Sequence, residues 1–263
     1  MNIRSVWHRG YNRIYTAVSQ KLYEKEFVSS EGQSLRYLFF PCPGSDLLAV
    51  GFQACNDAGP QYNYVRTLQK CGVNRLFIKD DFGPGHLGDY YLGCNGTYSV
   101  ERAVRELIDR TAASFAVPCR LVFCGSSKGG YAALNFGLQY PASAMILAAP
   151  QYYLADYLDS PKFHATLEEI LGGAATPAAR QALNLRLKQR IAADPYAASQ
   201  SVWLHYSDRE HTYPEHVRDL LSDLAAAGLT VHTDVQHYTT HGDLKYFFPD
   251  YLCSVLKTLR SIT

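Results

Sequence analysis

The chain has 263 residues, is 47% hydrophobic and 19% charged, and carries a formal net charge of +1. That length and composition suit a globular protein with one sizeable core, and the near-neutral balance with dispersed basic residues argues against a dedicated nucleic-acid binder. No apolar run approaches the roughly eighteen residues of a membrane span, so none is expected.

The opening stretch holds Arg4, Arg9, Arg13 and Lys21 without a continuous apolar segment. It reads as a docked N-terminal helix rather than a secretory signal, with the cytoplasm as the default compartment. Residues 25–29 and 34–40 form a hairpin turned at Glu31-Gly32, and 47–52 is an apolar strand followed by small and polar residues. A helix is expected over 62–69, a strand over 75–78, and a glycine-rich loop over 83–96. The next helix carries Ser99 as its cap and one apolar stripe of Val100, Ala103, Val104, Leu107 and Ile108.

The apolar run Leu121-Val122-Phe123-Cys124 leads into Gly125-Ser126-Ser127-Lys128-Gly129-Gly130, and Tyr131-Ala132-Ala133-Leu134 continues as a helix ending before Pro141. Strand, Gly-x-Ser-x-Gly, helix is the order of a nucleophile elbow, in which small flanking residues let a serine hydroxyl stand at the rim of a sheet. Residues 144–149 form the next strand. The stretch 151–198, rich in alanine and leucine, reads as a helical cap inserted over the sheet. The alternation resumes with a strand over 201–206, a helix from Pro214 to Gly228, a strand over 230–238 and a terminal helix near Pro249. The sum is a single α/β domain spanning 1–263, with about eight mostly parallel strands flanked by helices. Because the elbow follows the fifth strand, the order is that of an α/β-hydrolase fold.

Ser127 is then the candidate nucleophile, and a serine hydroxyl needs a base held by a carboxylate. In this fold the acid follows the seventh strand, where Ser207-Asp208-Arg209-Glu210 stands. Asp208, nearest the strand end, is the first choice of acid and Glu210 the reserve. The base follows the eighth strand, which selects His241 beside Gly242. His237 lies within the strand, and a metal held by His237 and His241 is not expected, because that spacing joins two ligands on a helix only. His211 and His216 read as solvent-facing. The oxyanion donors would be the backbone N–H of Lys128 and one from Gln53 or Ala54. The Lys128 side chain is either solvated or faces an anionic substrate such as a phosphate or acidic sugar. Tyr62, Tyr64, Tyr90, Tyr91 and Tyr98 suit sugar stacking as well as ordinary packing. The seven cysteines (42, 55, 71, 94, 119, 124 and 253) form no C-x-x-C pair and read as free thiols, most of them in the core.

The elbow at 125–134 resembles that of bacterial hydrolase-fold proteins of capsule and surface-glycan assembly, including glycan O-acetyltransferases and the O-acetyltransferase component of the accessory Sec system. The resemblance extends over Tyr62-x-Tyr64-x-Arg66-Thr67, Phe77-Ile78-x-Asp80-Asp81-Phe82-Gly83, Tyr90-Tyr91, Asn95-Gly96 and His241-Gly242-Asp243. It implies an acyl-enzyme on Ser127, His241 as base and an acid near Asp208. It also implies a small-molecule acyl donor, acetyl-CoA or another thioester, and a carbohydrate acceptor, with no bound cofactor. An esterase or deacetylase would use the same residues with water as acceptor. A non-catalytic scaffold of a glycan or secretion assembly would keep the fold without turnover.

Overall fold

A computed structural model describes residues 14–56, 59–141 and 143–261. Arg4, Arg9 and Arg13 of the expected N-terminal helix lie outside the described residues, which begin in helix α1 (14–23). One eight-stranded sheet runs in the order β1-β2-β4-β3-β5-β6-β7-β8. Its strands are β1 (Lys25–Val28), β2 (Ser34–Phe40), β3 (Leu47–Phe52), β4 (Asn74–Ile78), β5 (Arg120–Ser126), β6 (Ala144–Ala148), β7 (Ser201–Ser207) and β8 (Thr230–Gln236). The first two pairings, β1 with β2 and β2 with β4, are antiparallel, and every later one is parallel. The inner strands β3 and β6 are buried along their whole length, as near-continuous apolar runs in a parallel sheet must be when helices cover both faces.

One face is covered by α2 (Val65–Gln69) and α9 (Leu244–Ser261), which pack Val65, Leu68, Phe248, Leu252 and Leu256 against the sheet. The other carries α3 (Ser99–Ala113), α4 (Lys128–Gly137) and α8 (Arg218–Ala226). Between β6 and β7 the chain forms α5 (Leu154–Leu158), α6 (His164–Leu171) and α7 (Pro177–Ala192). Arg186 and Arg190 of α7 both reach the buried Glu101 of α3, and Arg190 also donates to Asn135 Oδ1 of α4 at 2.8 Å. A buried carboxylate is tolerable only when paired in this way, so these contacts fix the inserted helices to the sheet layer.

Several boundaries differ from the sequence reading. Helix α2 starts at Val65, because Tyr64 takes a left-handed conformation (φ 61°) and Tyr62 and Asn63 stay in the loop. Ser99 does not cap α3: Tyr98, also left-handed, holds the cap position, and no side-chain cap bond forms. Helix α9 begins at Leu244 with Pro249 inside it. Burial of its apolar face on both sides of the proline outweighs the lost backbone bond. Tyr90, Tyr91 and Tyr62 are core residues, at 1%, 0% and 4% exposure, so they cannot stack on a sugar. All seven cysteines are free as expected, but two, Cys71 and Cys124, are fully buried and the others only in part.

His216 is another correction, since it is buried rather than solvent-facing. Its Nδ1 accepts the Tyr153 N–H at 3.3 Å, where the inserted segment meets the turn before α8. Burial pushes the imidazole down from 6.5 to about 4. The folded protein therefore refuses a proton that the unfolded chain accepts as the pH falls below 6.5. Its stabilising contribution is complete above that pH and is lost progressively down to about pH 4, a difference of about 3 kcal/mol. Denaturant midpoints measured between pH 7 and 4.5 are expected to fall less steeply in His216→Gln, which keeps an acceptor for Tyr153. Equal slopes in the two proteins would refute this.

Candidate active site

Strand β5 ends at Ser126 and α4 begins at Lys128, so Ser127 alone makes the turn, at φ 54° and ψ −121°. A non-glycine residue held there is strained and needs close support. That support requires glycine on both sides. A Cβ on Gly125 would lie 2.2 Å from the Gly129 carbonyl oxygen, and one on Gly129 would lie 2.6 Å from that of Phe52. The backbone N–H of Ser127 donates to the Ala148 carbonyl at 2.8 Å, fixing the elbow to the end of β6.

His241 opens the short turn between β8 and α9, and its Nδ1 lies 2.9 Å from Glu210 Oε1. Glu210 is 2% exposed, and the same oxygen also accepts from the Thr212 hydroxyl. Burial alone would push the Glu210 carboxyl up. The bond to His241, the imidazole's charge and the Thr212 hydroxyl more than reverse this and hold it below the ordinary range. The first-choice acid, Asp208, is placed elsewhere: it is exposed and pairs with His237 Nδ1 at 2.8 Å. The reason is the pleat. Strand β7 runs one residue beyond the expected end, with Ser207 inward, donating to the Tyr238 carbonyl, and Asp208 outward. The turn that follows brings Glu210 back inside, and the structure pairs His241 with this reserve acid.

The Ser127 hydroxyl is bonded to a residue the sequence reading left out. Gln151 Nε2 donates to Ser127 Oγ at 3.0 Å, and among the described residues this is the bond the hydroxyl makes, rather than one to His241. Catalytic hydrogen bonds are often long without substrate, so this alone does not separate serine from histidine in function. Gln151 stands three residues past β6, in a stretch whose composition reads only as helical, and no motif marks it.

The expected oxyanion donors have the following surroundings. Lys128 is the first residue of α4, so its N–H has no acceptor within the helix. The Gln53 N–H, however, donates to the buried Tyr91 hydroxyl at 2.8 Å, and the Ala54 N–H donates to Asn63 Oδ1 at 2.8 Å. The Lys128 side chain neither meets solvent nor faces a substrate. It is fully buried, with Nζ 2.8 Å from Asp80 Oδ2 and 3.0 Å from the Leu87 carbonyl. A cleft of about 280 Å³ lies beside the loop after β3 and is lined by Asn63, Tyr64, Arg66 and Lys245 among others. Among the described residues no cluster of histidine, cysteine and acidic side chains could hold a metal, and no helix is long and apolar enough to cross a membrane.

A parallel sheet with its serine elbow after the fifth strand, and an acid and a histidine after the seventh and eighth, defines an α/β-hydrolase fold. No family model matches the chain, and no curated protein matches it by sequence. Solved structures do. The capsule O-acetyltransferase of Neisseria meningitidis serogroup A superimposes with a TM-score of 0.71 at 19% identity, covering 88% of this chain and 94% of that one. A mutant form of that enzyme has been solved in complex with CoA. The Glycosylation Associate Protein (Gap123) complex of Streptococcus agalactiae matches with a TM-score of 0.71 at 18% identity, over 90% of this chain and 46% of that one. An S-formylglutathione hydrolase of Agrobacterium tumefaciens matches at 0.60 and 15% identity, over 89% and 94%. The likeness is one of fold, and it extends to a capsule O-acetyltransferase, a kind of protein that the elbow sequence resembles.

Proposed function

We propose that the protein is a serine acyltransferase that moves an acetyl group from a thioester donor, acetyl-CoA or a relative, onto a hydroxyl of a bacterial surface glycan. The observation that carries this reading is the buried Glu210–His241 pair at the loops after β7 and β8, in a fold that strains Ser127 into the elbow after β5. Glu210 accepts from Nδ1 and so fixes the tautomer that leaves Nε2 unprotonated and able to act as base. His241 takes the Ser127 proton as Oγ bonds to the thioester carbon, and the carbonyl electron pair moves onto oxygen. The Lys128 N–H meets that oxygen. A second donor is the Ala54 N–H, already aimed at an acceptor oxygen, once Asn63 turns aside. Collapse of the tetrahedral adduct expels the thiolate, which receives the proton from His241, leaving an acyl ester on Ser127. The acceptor hydroxyl then gives its proton to His241 and attacks that ester, and Ser127 leaves with the proton. Arg66 and Lys245, lining the cleft beside Asn63, suit the phosphates of a CoA donor.

The S-formylglutathione hydrolase match favours a second reading, in which water replaces the glycan as acceptor. A fluorophosphonate probe tests the shared chemistry: labelling of the wild type that disappears in Ser127→Ala is expected, and no labelling at all points instead to a non-catalytic scaffold. Acetyl-CoA with and without a capsule-type polysaccharide separates the two enzymes. Acetate release that ignores the polysaccharide, with no acetylated product, rules out the transferase.

A further inference from the structure

Two strained residues face each other behind the nucleophile. Ser127 has φ 54°, and Ala149, just past β6, has φ 37°. The Ala148 carbonyl clasps the Ser127 N–H at 2.8 Å, and the Ala149 N–H is tied to the His205 carbonyl at 3.0 Å. A Cβ on Gly130 would lie 3.2 Å from both the Ala148 oxygen and the Pro150 Cβ, so this corner is built tightly against the elbow helix. Its product is the placement of Gln151, fully buried, with Nε2 3.0 Å from Ser127 Oγ. The other amide atom, Oε1, is buried without a partner. As placed, one amide N–H meets the serine, whereas turning the amide over would leave both N–H groups without a partner, so the donor faces the serine.

We infer that Gln151 is a further catalytic residue, whose side-chain N–H stabilises the negative charge that develops on Ser127 Oγ as the oxygen attacks the donor and again as it departs from the acyl ester. This rests on Ser127 being the nucleophile. By donating into one lone pair of Oγ, Gln151 leaves the hydroxyl's own proton to be given elsewhere, to His241. A hydrogen bond from a neutral amide strengthens as its acceptor gains charge, so the contact favours the transition state over the resting hydroxyl. The bond needs no rearrangement during reaction, because strained backbone and close packing already hold both partners.

The test measures the pre-steady-state acylation rate with p-nitrophenyl acetate, alongside fluorophosphonate labelling, in wild type, Gln151→Leu and Gln151→Glu, with thermal midpoints recorded for each. Gln151→Leu, similar in volume, is expected to slow acylation on the order of 10- to 100-fold. Gln151→Glu gives a readout that a packing role would not move. An ionised carboxylate beside Oγ repels the developing charge, whereas a neutral carboxyl can donate to it. The ratio of the Gln151→Glu rate to the wild-type rate is therefore expected to rise as the pH is lowered from 8 to 5. A Leu variant within twofold of wild type, or a pH-independent Glu ratio, overturns the role of Gln151 while leaving Ser127 labelled. Absence of labelling in the wild type overturns both this role and the proposed function.

Discussion

Glu210→Gln is expected to lower turnover of an activated ester by about 10⁴-fold, whereas Asp208→Asn should stay within twofold of wild type. The asymmetry follows from what each carboxylate touches. Glu210 is buried and accepts from the imidazole Nδ1 at 2.9 Å, so replacing one oxygen by an NH₂ group lets the amide bond Nδ1 as a donor and strands the proton on Nε2. An imidazole in that tautomer cannot accept the serine proton, and such a change costs on the order of 10⁴ in rate with geometry intact. Asp208 holds an exposed pair with His237, worth little in stability and remote from the proton path. The same comparison has a sign in pH. Because the Glu210 carboxyl is held below the ordinary range, its contribution to stability is present above that range and is lost only as the pH falls through its lowered value in the fold. The decisive measurement is the rate of fluorophosphonate labelling in the two variants. Full labelling of Glu210→Gln would show that the carboxylate only caps the turn, and a large loss in Asp208→Asn would return the role to the residue nearer the strand.

The elements that the sequence made plain are those set by local pattern. The hairpin at Glu31-Gly32, the apolar runs of β3, β5 and β6, and the stripe of α3 each follow from periodicity and turn residues within one segment. The elbow was legible because glycine is required on both sides of Ser127, and the structure shows backbone oxygens where a Cβ would stand. His241 was legible because the fold brings the end of β8 to the same edge. What failed depended on a single residue's direction or on partners far away in the chain. Asp208 and Glu210 are separated by the turn after β7, which leaves Asp208 outward and returns Glu210 to the interior. Tyr64 in a left-handed conformation carries no local signal, since aromatic residues rarely adopt it. Gln151 meets Ser127 only through the packing of β6 against the elbow. The partner of Lys128 lies 48 residues earlier, so a lysine in the elbow looked like a surface charge.

That misread lysine carries the largest expected effect on stability. Lys128 and Asp80 are both fully buried, and their 2.8 Å pair is joined by the Asp89 N–H, which donates to Asp80 Oδ1 at 3.0 Å. Asp89 is itself buried, and burial, with the neighbouring Asp80 charge, pushes its carboxyl well above the ordinary range. Lys128 also donates to the Leu87 carbonyl, and Gly88 is left-handed (φ 89°) at a place where a Cβ would meet Lys128 Nζ and Asp80. The pair therefore ties the glycine-rich loop to the first turn of the elbow helix. Lys128→Met removes the cation, fills a similar volume and leaves Asp80 buried without a counter-charge, a loss of about 3–5 kcal/mol. For a chain of this size that corresponds to a fall in thermal midpoint on the order of 10 °C. Combining Lys128→Met with Asp80→Leu removes both charges and is expected to recover most of the lost stability, since well-packed apolar replacements of a buried pair are often neutral. Both changes keep the backbone N–H of residue 128, so fluorophosphonate labelling of the double variant should persist. A single variant as stable as wild type would mean that the pair contributes nothing to holding the loop against the elbow.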